Sequence, residues 1–325
     1  MKIIGLSQNI IWKEKQENFL LIEEKFKDLE ADLFLLPEMF TTGFYMKAQE
    51  VADEEELALT WMKNFAKTKN TAIGGSVSVK DNGKFYNRFY FVKPDGTYHQ
   101  YDKRHLFSYT GEDKVYTAGT ERVVVEYLGF RFLLQVCFDA RFPVFARNRK
   151  DYDVILNVAN WPEARVLAWE TLNRARAIEN QAYVFALNRT GEDGNNLKYQ
   201  ESSHCFFADG TDISTKNGDL IFAELDLQKL ELKFVGEGMT FSGYASVFGG
   251  VDSYGDTIDP KAYEKTLTDR IRPIRMRWNH YGPVIGKWLR MTTDSVGLFV
   301  GGQRFVCSKR GHQQSTRRMH SLRQL

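Results

Sequence analysis

A chain of 325 residues, 43% of them hydrophobic, has material for one large domain or two smaller ones with a full core. Its formal net charge of +2 gives no general polyelectrolyte character, and no run approaches the ~18 apolar residues of a membrane span. Three cysteines, Cys137, Cys205 and Cys307, are odd in number and far apart. They offer neither a disulfide framework nor zinc-ligand spacing, and they fit a reducing cytoplasm.

The first nine residues lack the apolar core and small-residue cleavage site of a signal peptide and read as a first strand. Apolar patterning predicts strands over 3–8, 33–36, 71–79, 85–92, 123–127, 130–136, 154–158 and 183–187. Helical spacing predicts helices over 13–29, 54–69 and 164–180, the last marked by Leu167, Ala168, Leu172, Ala175 and Ile178. Asp81-Asn82-Gly83 and Pro94-Asp95-Gly96 are hairpin-turn signals between β-like runs. This alternation predicts an α/β layered fold, and its hairpins predict mixed sheets. No GxGxxG or GxxxxGK[ST] signature occurs, which argues against a nucleotide-phosphate loop.

Near residue 234 the pattern changes. Val235-Gly236-Glu237-Gly238 is a glycine-containing join, and 241–256 is strand-like and punctuated by glycine. Further strands are predicted over 284–289 and 297–300. The part before the join is mildly acidic and the part after it basic. From Gln303 onward the chain carries Arg304, Lys309, Arg310, Arg317, Arg318 and Arg323 and no acid. That run has no aromatic spacing for stacking on bases, so a disordered or foreign tail is expected, with neither nucleic acid nor membrane as partner. The expected organisation is 1–233, 234–302 and 303–325.

Three chemically distinct residues each follow a strand-like run. Glu38 follows Leu33-Phe34-Leu35-Leu36-Pro37, Lys103 follows Tyr101-Asp102, and Cys137 follows Phe132-Leu133-Leu134-Gln135-Val136. Taken singly, these are ordinarily a solvated loop carboxylate, a surface lysine and a small core residue. Brought together at one sheet edge, they would make an active site. A free thiol is only slightly ionised at neutral pH, and a nearby cation or positioned base raises its thiolate character. Lys103 can supply that charge and Glu38 can take the proton. The same lysine, with the backbone N–H of Phe138, can then hold an oxyanion. Glu, Lys and Cys thus suffice for acyl transfer through a thioester, without histidine, metal or cofactor.

Leu35-Leu36-Pro37-Glu38-Met39-Phe40, Tyr101-Asp102-Lys103-Arg104-His105-Leu106-Phe107 and Val136-Cys137-Phe138-Asp139-Ala140-Arg141-Phe142-Pro143 resemble, in order and spacing, the three signature segments of the nitrilase, or carbon–nitrogen hydrolase, superfamily. The resemblance runs through Asn157-Val158-Ala159-Asn160-Trp161-Pro162 to about Lys233 and is closest to the omega-amidase branch. It implies an αββα sandwich, with Glu38 as general base, Lys103 as oxyanion stabiliser, Cys137 as nucleophile and Glu112 as a second active-site carboxylate. It also implies a small-molecule omega-amide substrate, 2-oxoglutaramate or 2-oxosuccinamate, cleaved to the 2-oxo acid and ammonia. Arg141 and Trp161 stand beside the nucleophile, where pocket lining and plain packing are both open readings. Glu201 occupies a position where the family commonly has glycine, so strain is expected there if the backbone turns left-handed. The resemblance implies a homodimer, but the extension that often crosses to the partner has no counterpart after about Phe234.

A second resemblance covers about 240–301. Phe241-Ser242-Gly243-Tyr244-Ala245, Val251-Asp252-Ser253-Tyr254-Gly255-Asp256, Asn279-His280 and Ile285-Gly286-Lys287-Trp288 are similar to the prohead maturation serine protease of tailed phages. It implies His280 as a catalytic histidine. The serines that follow, Ser308, Ser315 and Ser321, lack a strand-like setting. The alternative to an amidase is therefore a phage protease, or its inactive remnant fused to an amidase. Phage insertion and an artefact of sequence assembly both fit such a join.

Overall fold

The structure, a computed structural model, describes residues 1–234 apart from position 55, and beyond them 240–247, 261, 263, 267, 275–277, 284–293 and 297–304. It divides into two compact units, Met1–Leu230 and Glu231–Leu325. In the first, the chain forms β1 (Lys2–Leu6), α1 (Lys15–Phe26), β2 (Leu33–Leu35), α2 (Ala48–Val51), α3 (Leu57–Lys69), β3 (Ala72–Asp81), β4 (Lys84–Val92) and β5 (Tyr98–Asp102). Then follow α4 (Glu112–Val115), β6 (Val124–Tyr127), β7 (Phe130–Val136), α5 (Pro143–Ala146), β8 (Val154–Ala159), α6 (Val166–Asn180) and β9 (Tyr183–Asn188). Short strands β10 (Gly191–Glu192), β11 (Lys198–Tyr199), β12 (His204–Phe206), β13 (Thr215–Asn217) and β14 (Leu220–Glu224) precede α7 (Leu227–Phe234), which runs across the unit boundary.

Two sheets carry this unit, ordered β13-β14-β1-β2-β3-β4-β5 and β12-β9-β8-β7-β6. Strands β1, β2 and β3 are parallel, as are β7, β8 and β9. Strands β3 to β5 are joined by the two predicted hairpins. The first turn places Asn82 and Gly83 at φ of 48° and 75°, the left-handed pair that matches the twist of the flanking strands. Two reversals return β5 to the direction of β2 and β3, so the C-terminal ends of β2 and β5 reach the same edge.

Alternation along the strands builds the layers. Ile3, Leu33 and Leu35 point toward the second sheet and share a core with Phe91 and Phe132, whose rings lie 5.6 Å apart. Ile4, Phe34 and Leu36 point the other way, onto Phe19, Ile22 and Phe26 of α1 and Leu59, Met62 and Phe65 of α3. Helix α6 covers the outer face of the second sheet through Trp169 and Ala177. The result is the expected αββα sandwich.

Helix α6 forms where predicted, and of its marked residues Ala168 and Leu172 pack against the core, but its fully buried positions are others. Trp169, Asn173, Arg176, Ala177 and Asn180 are buried, whereas Leu167 is 75% exposed and Ile178 46%. The polar residues tolerate burial because they are bonded: Asn173 accepts from Asn157 and donates to the Trp169 carbonyl, and Asn180 accepts from the Asn148 N–H.

In the second unit, β15 (Thr240–Val247), β16 (Arg275–Arg277), β17 (Val284–Thr293) and β18 (Gly297–Arg304) form an antiparallel sheet ordered β15-β18-β17-β16. Strands β17 and β18 run further than apolar patterning predicts. Paired backbone extends the ladder through Arg304, where side-chain periodicity has ended. His280, Ser308, Ser315, Ser321 and the tail beyond Arg304 lie outside the described residues. Among the described residues, no helix is long and apolar enough to cross a membrane.

Candidate active site

Each of the three sequence-marked residues sits just past a strand end. Glu38 lies beyond β2, and Met39 after it turns left-handed (φ 45°), which lets the Met39 N–H reach Ser76 Oγ at 3.0 Å. Lys103 is the first residue past β5. Gly119 closes over it, its N–H donating to the Lys103 carbonyl at 3.0 Å. A Cβ at Gly119 would sit 2.1 Å from the Asp102 carbonyl oxygen, so only glycine fits there.

Cys137 ends β7 and opens the 3-10 turn Cys137–Arg141. Its φ is 50°, a conformation that costs an L-residue about 1–2 kcal/mol. Asp139 holds this turn in place. Its carboxylate accepts from the Val136 N–H (2.9 Å), the Tyr101 hydroxyl (2.7 Å) and the His105 N–H (3.1 Å). One buried carboxylate thereby ties the thiol's turn to the segment that carries Lys103.

The side chains of Glu38, Lys103 and Glu112 are wholly buried. Lys103 Nζ donates to Glu38 Oε1 at 2.8 Å and to both Glu112 oxygens at 3.0 Å. Asn87 Nδ2 donates to Glu38 Oε1 at 2.8 Å and to Glu112 Oε1 at 3.2 Å, and Ser76 fixes its amide from behind at 2.8 Å. From the second sheet, the Asn160 N–H donates to Glu38 Oε2 at 2.8 Å. The Phe107 N–H binds Glu112 Oε2 at 2.6 Å.

Burial alone would strip Lys103 of its charge. The Glu112 and Glu38 carboxylates outweigh burial and raise its pKa, so it stays an ammonium. Burial pushes the Glu112 carboxyl up, against the pull of Lys103. Burial and then the charge of Glu38 push the Cys137 thiol well above its ordinary value, and Lys103 pulls the other way without prevailing. The resting sulfur therefore carries its proton at neutral pH.

Cys137 and Lys103 line a small pocket. Phe138, Arg141 and Trp161 line it, as do Phe44, Phe107, Asn160, Arg165 and Tyr199. The Phe138 N–H lies in the first turn of a short helix, where N–H groups have no partner within the helix. No local sequence pattern singles out Asn87, Asn160 or Asp139. Asn87 is mid-strand, and only the sheet register and the facing sheet reveal what it and Asn160 touch. Glu201 is not left-handed. Its carboxylate instead accepts from the Ser203 N–H at 2.6 Å and pairs with Lys216, so the expected strain is absent.

A thiol on a left-handed turn between two helix-covered sheets, facing a buried carboxylate and ammonium, is the architecture of a hydrolase acting on carbon–nitrogen bonds. Comparison with known proteins agrees. Residues 3–232 match the carbon-nitrogen hydrolase family. The omega-amidase YafV of Yersinia enterocolitica is 48% identical over 204 residues, which are 62% of this chain and 80% of that protein. The 2-oxoglutaramate amidase of Bacillus subtilis is 35% identical over 233 residues, 69% of this chain and 86% of that protein. A crystal structure of a CN-hydrolase superfamily protein from Xanthomonas campestris, with an arsenic adduct in its active site, is similar at a TM-score of 0.68. It is 36% identical and covers 71% of this chain and 92% of its own. The chain belongs to the carbon–nitrogen hydrolase family and is an amidase similar to the omega-amidases. Residues 224–316 additionally match the Caudovirus prohead serine protease family.

Proposed function

We propose that the chain hydrolyses the terminal amide of 2-oxoglutaramate or 2-oxosuccinamate through a thioester on Cys137. The observation that carries this reading is the Cys137 thiol sharing a pocket with Lys103, which is held between the buried Glu38 and Glu112 carboxylates. The name of the Bacillus subtilis relative supports the substrate class.

Glu38 takes the thiol proton as sulfur attacks the amide carbon, so no free thiolate has to persist in the buried site. The carbonyl π pair moves to oxygen, and the Lys103 ammonium and the Phe138 N–H hold the resulting oxyanion. Collapse breaks the carbon–nitrogen bond, and the proton on Glu38 passes to nitrogen, releasing ammonia. Water then gives a proton to Glu38 and attacks the thioester. Collapse of that second intermediate breaks the carbon–sulfur bond, the proton on Glu38 returns to sulfur, and the carboxylic acid released gives its own proton to solvent. Glu112 keeps Lys103 charged and in place, and Phe138, Arg141 and Trp161 wall the acyl group.

The test is ammonia release from 2-oxoglutaramate, with asparagine, glutamine and simple nitriles for comparison. Turnover that vanishes in Cys137→Ala, together with a mass increase of one acyl group on Cys137 in quenched reactions, supports the reading. Full activity in Cys137→Ala overturns the mechanism, and a preference for nitriles overturns the substrate class.

A further inference from the structure

Arg141 and Arg165 line the exposed edge of the pocket. Among other arginines of this unit, Arg88 and Arg131 are matched to the carboxylates of Asp102 and Asp153, and Arg104, Arg174 and Arg189 donate to backbone carbonyls. Arg141 and Arg165 rest on aromatic faces at the pocket. The Arg141 guanidinium lies 5.1 Å from the Trp161 ring centre and 5.9 Å from that of Phe138. The Arg165 guanidinium lies 5.1 Å from the ring centre of Phe107. Trp161 connects the two, because its Nε1–H donates to the Arg165 carbonyl at 2.7 Å while its ring supports Arg141. Trp161 is itself fixed, its N–H donating to Asn188 Oδ1 at 2.7 Å. Aromatic support of this kind holds a guanidinium in position and leaves its N–H fork free for a ligand.

The floor of the pocket has the opposite character. Two buried carboxylates share one ammonium there, so an anionic ligand is repelled from the thiol end. Positive charge at the rim and negative charge at the floor give the pocket a direction.

We propose that Arg165, acting with Arg141, is a specificity-determining clamp for the far carboxylate of the substrate. It orients an omega-amido acid with its acid end at the rim and its amide at Cys137. This inference rests on the omega-amidase reading. It adds to that reading the residues that select an acid over a neutral amide and fix which end enters. Hydrolysis creates a second carboxylate beside Glu38, and the same polarity then favours release of the diacid.

The experiment compares kcat/KM for 2-oxoglutaramate and for 4-oxopentanamide, in which a methyl group replaces the carboxylate. The wild-type enzyme prefers the acid. Arg165→Gln lowers the ratio of the two values about tenfold or more, mainly through KM for the acid, as loss of a charge-assisted bond implies. Arg165→Lys retains part of the preference, and Arg141→Gln combined with Arg165→Gln lowers it further. A ratio unchanged in both single variants and in the double variant overturns the clamp and leaves the omega-amidase reading standing. A wild-type preference for the neutral amide also overturns it. Absence of ammonia with both amides overturns both readings.

Discussion

Lys103 and Glu38 form an ion pair 2.8 Å long in which neither side chain reaches solvent. Glu112 pairs with the same ammonium at 3.0 Å. Charges this deeply buried persist only because each supplies what the others lost on leaving water. Asn87 and Asn160 complete the arrangement by donating to Glu38 from both sheets. The Glu38 carboxylate is thereby held in one position.

Removing the shared cation leaves two buried carboxylates without a counter-charge. Lys103→Met should cost about 3–5 kcal/mol in urea unfolding. Adding Glu112→Gln should restore part of that loss, since one uncompensated charge goes with it. Neither variant should release ammonia. Equal stability of the wild type and Lys103→Met would show that the cluster carries no folding energy.

Cys137 holds a left-handed backbone conformation without being glycine. Both Cys137→Gly and Cys137→Ala should be inactive. The glycine variant should be the more stable by about 1 kcal/mol, because only the alanine retains the Cβ that conflicts with this conformation. Thermal unfolding of the two proteins compares them directly, and a more stable alanine variant contradicts the argument.

The thiol's raised pKa makes its reactivity depend on pH in a definite sense. Thiolate is the alkylating species, so labelling of Cys137 by iodoacetamide should keep rising beyond pH 9.0, the ordinary thiol value. Glu38 raises the thiol's pKa by its charge, so Glu38→Gln should lower it. Labelling at neutral pH should then accelerate while ammonia release collapses. Mass spectrometry of the Cys137 peptide measures the first quantity. If labelling slows in step with turnover, Glu38 is not the group that keeps the sulfur protonated.

Glu201 contributes bonds and no left-handed strain. Glu201→Gly should therefore lose stability, by about 1–2 kcal/mol, through the Ser203 N–H left without its carboxylate and the added backbone freedom of glycine. A stabilised glycine variant in chemical denaturation would refute this.

Glu38, Lys103 and Cys137 were legible because each ends a run whose pattern marks a strand, and a strand end is a local property. Helix α6 shows where local pattern stops short. Its apolar residues announce a helix, yet Leu167 and Ile178 face outward and Asn173 and Asn180 face inward. The inward face is set by what the covering sheet can bond, such as Asn157 at 3.1 Å from Asn173, and no periodicity reports that.

The sequence alone determined the order of elements, the hairpin turns and the three residues delivered to strand ends, since period and turn chemistry act over a few positions. The tertiary structure decided the rest. Asn160 reaches Glu38 across 122 positions of chain, and Lys103 reaches it across 65. The first meeting follows from the stacking of two sheets and the second from the order of strands within one sheet. Together they exclude water and so set the charge of Lys103 and the proton on Cys137. The same stacking brings Phe107 and Trp161 to the pocket edge, where they hold two guanidiniums that no local pattern marks as a pair.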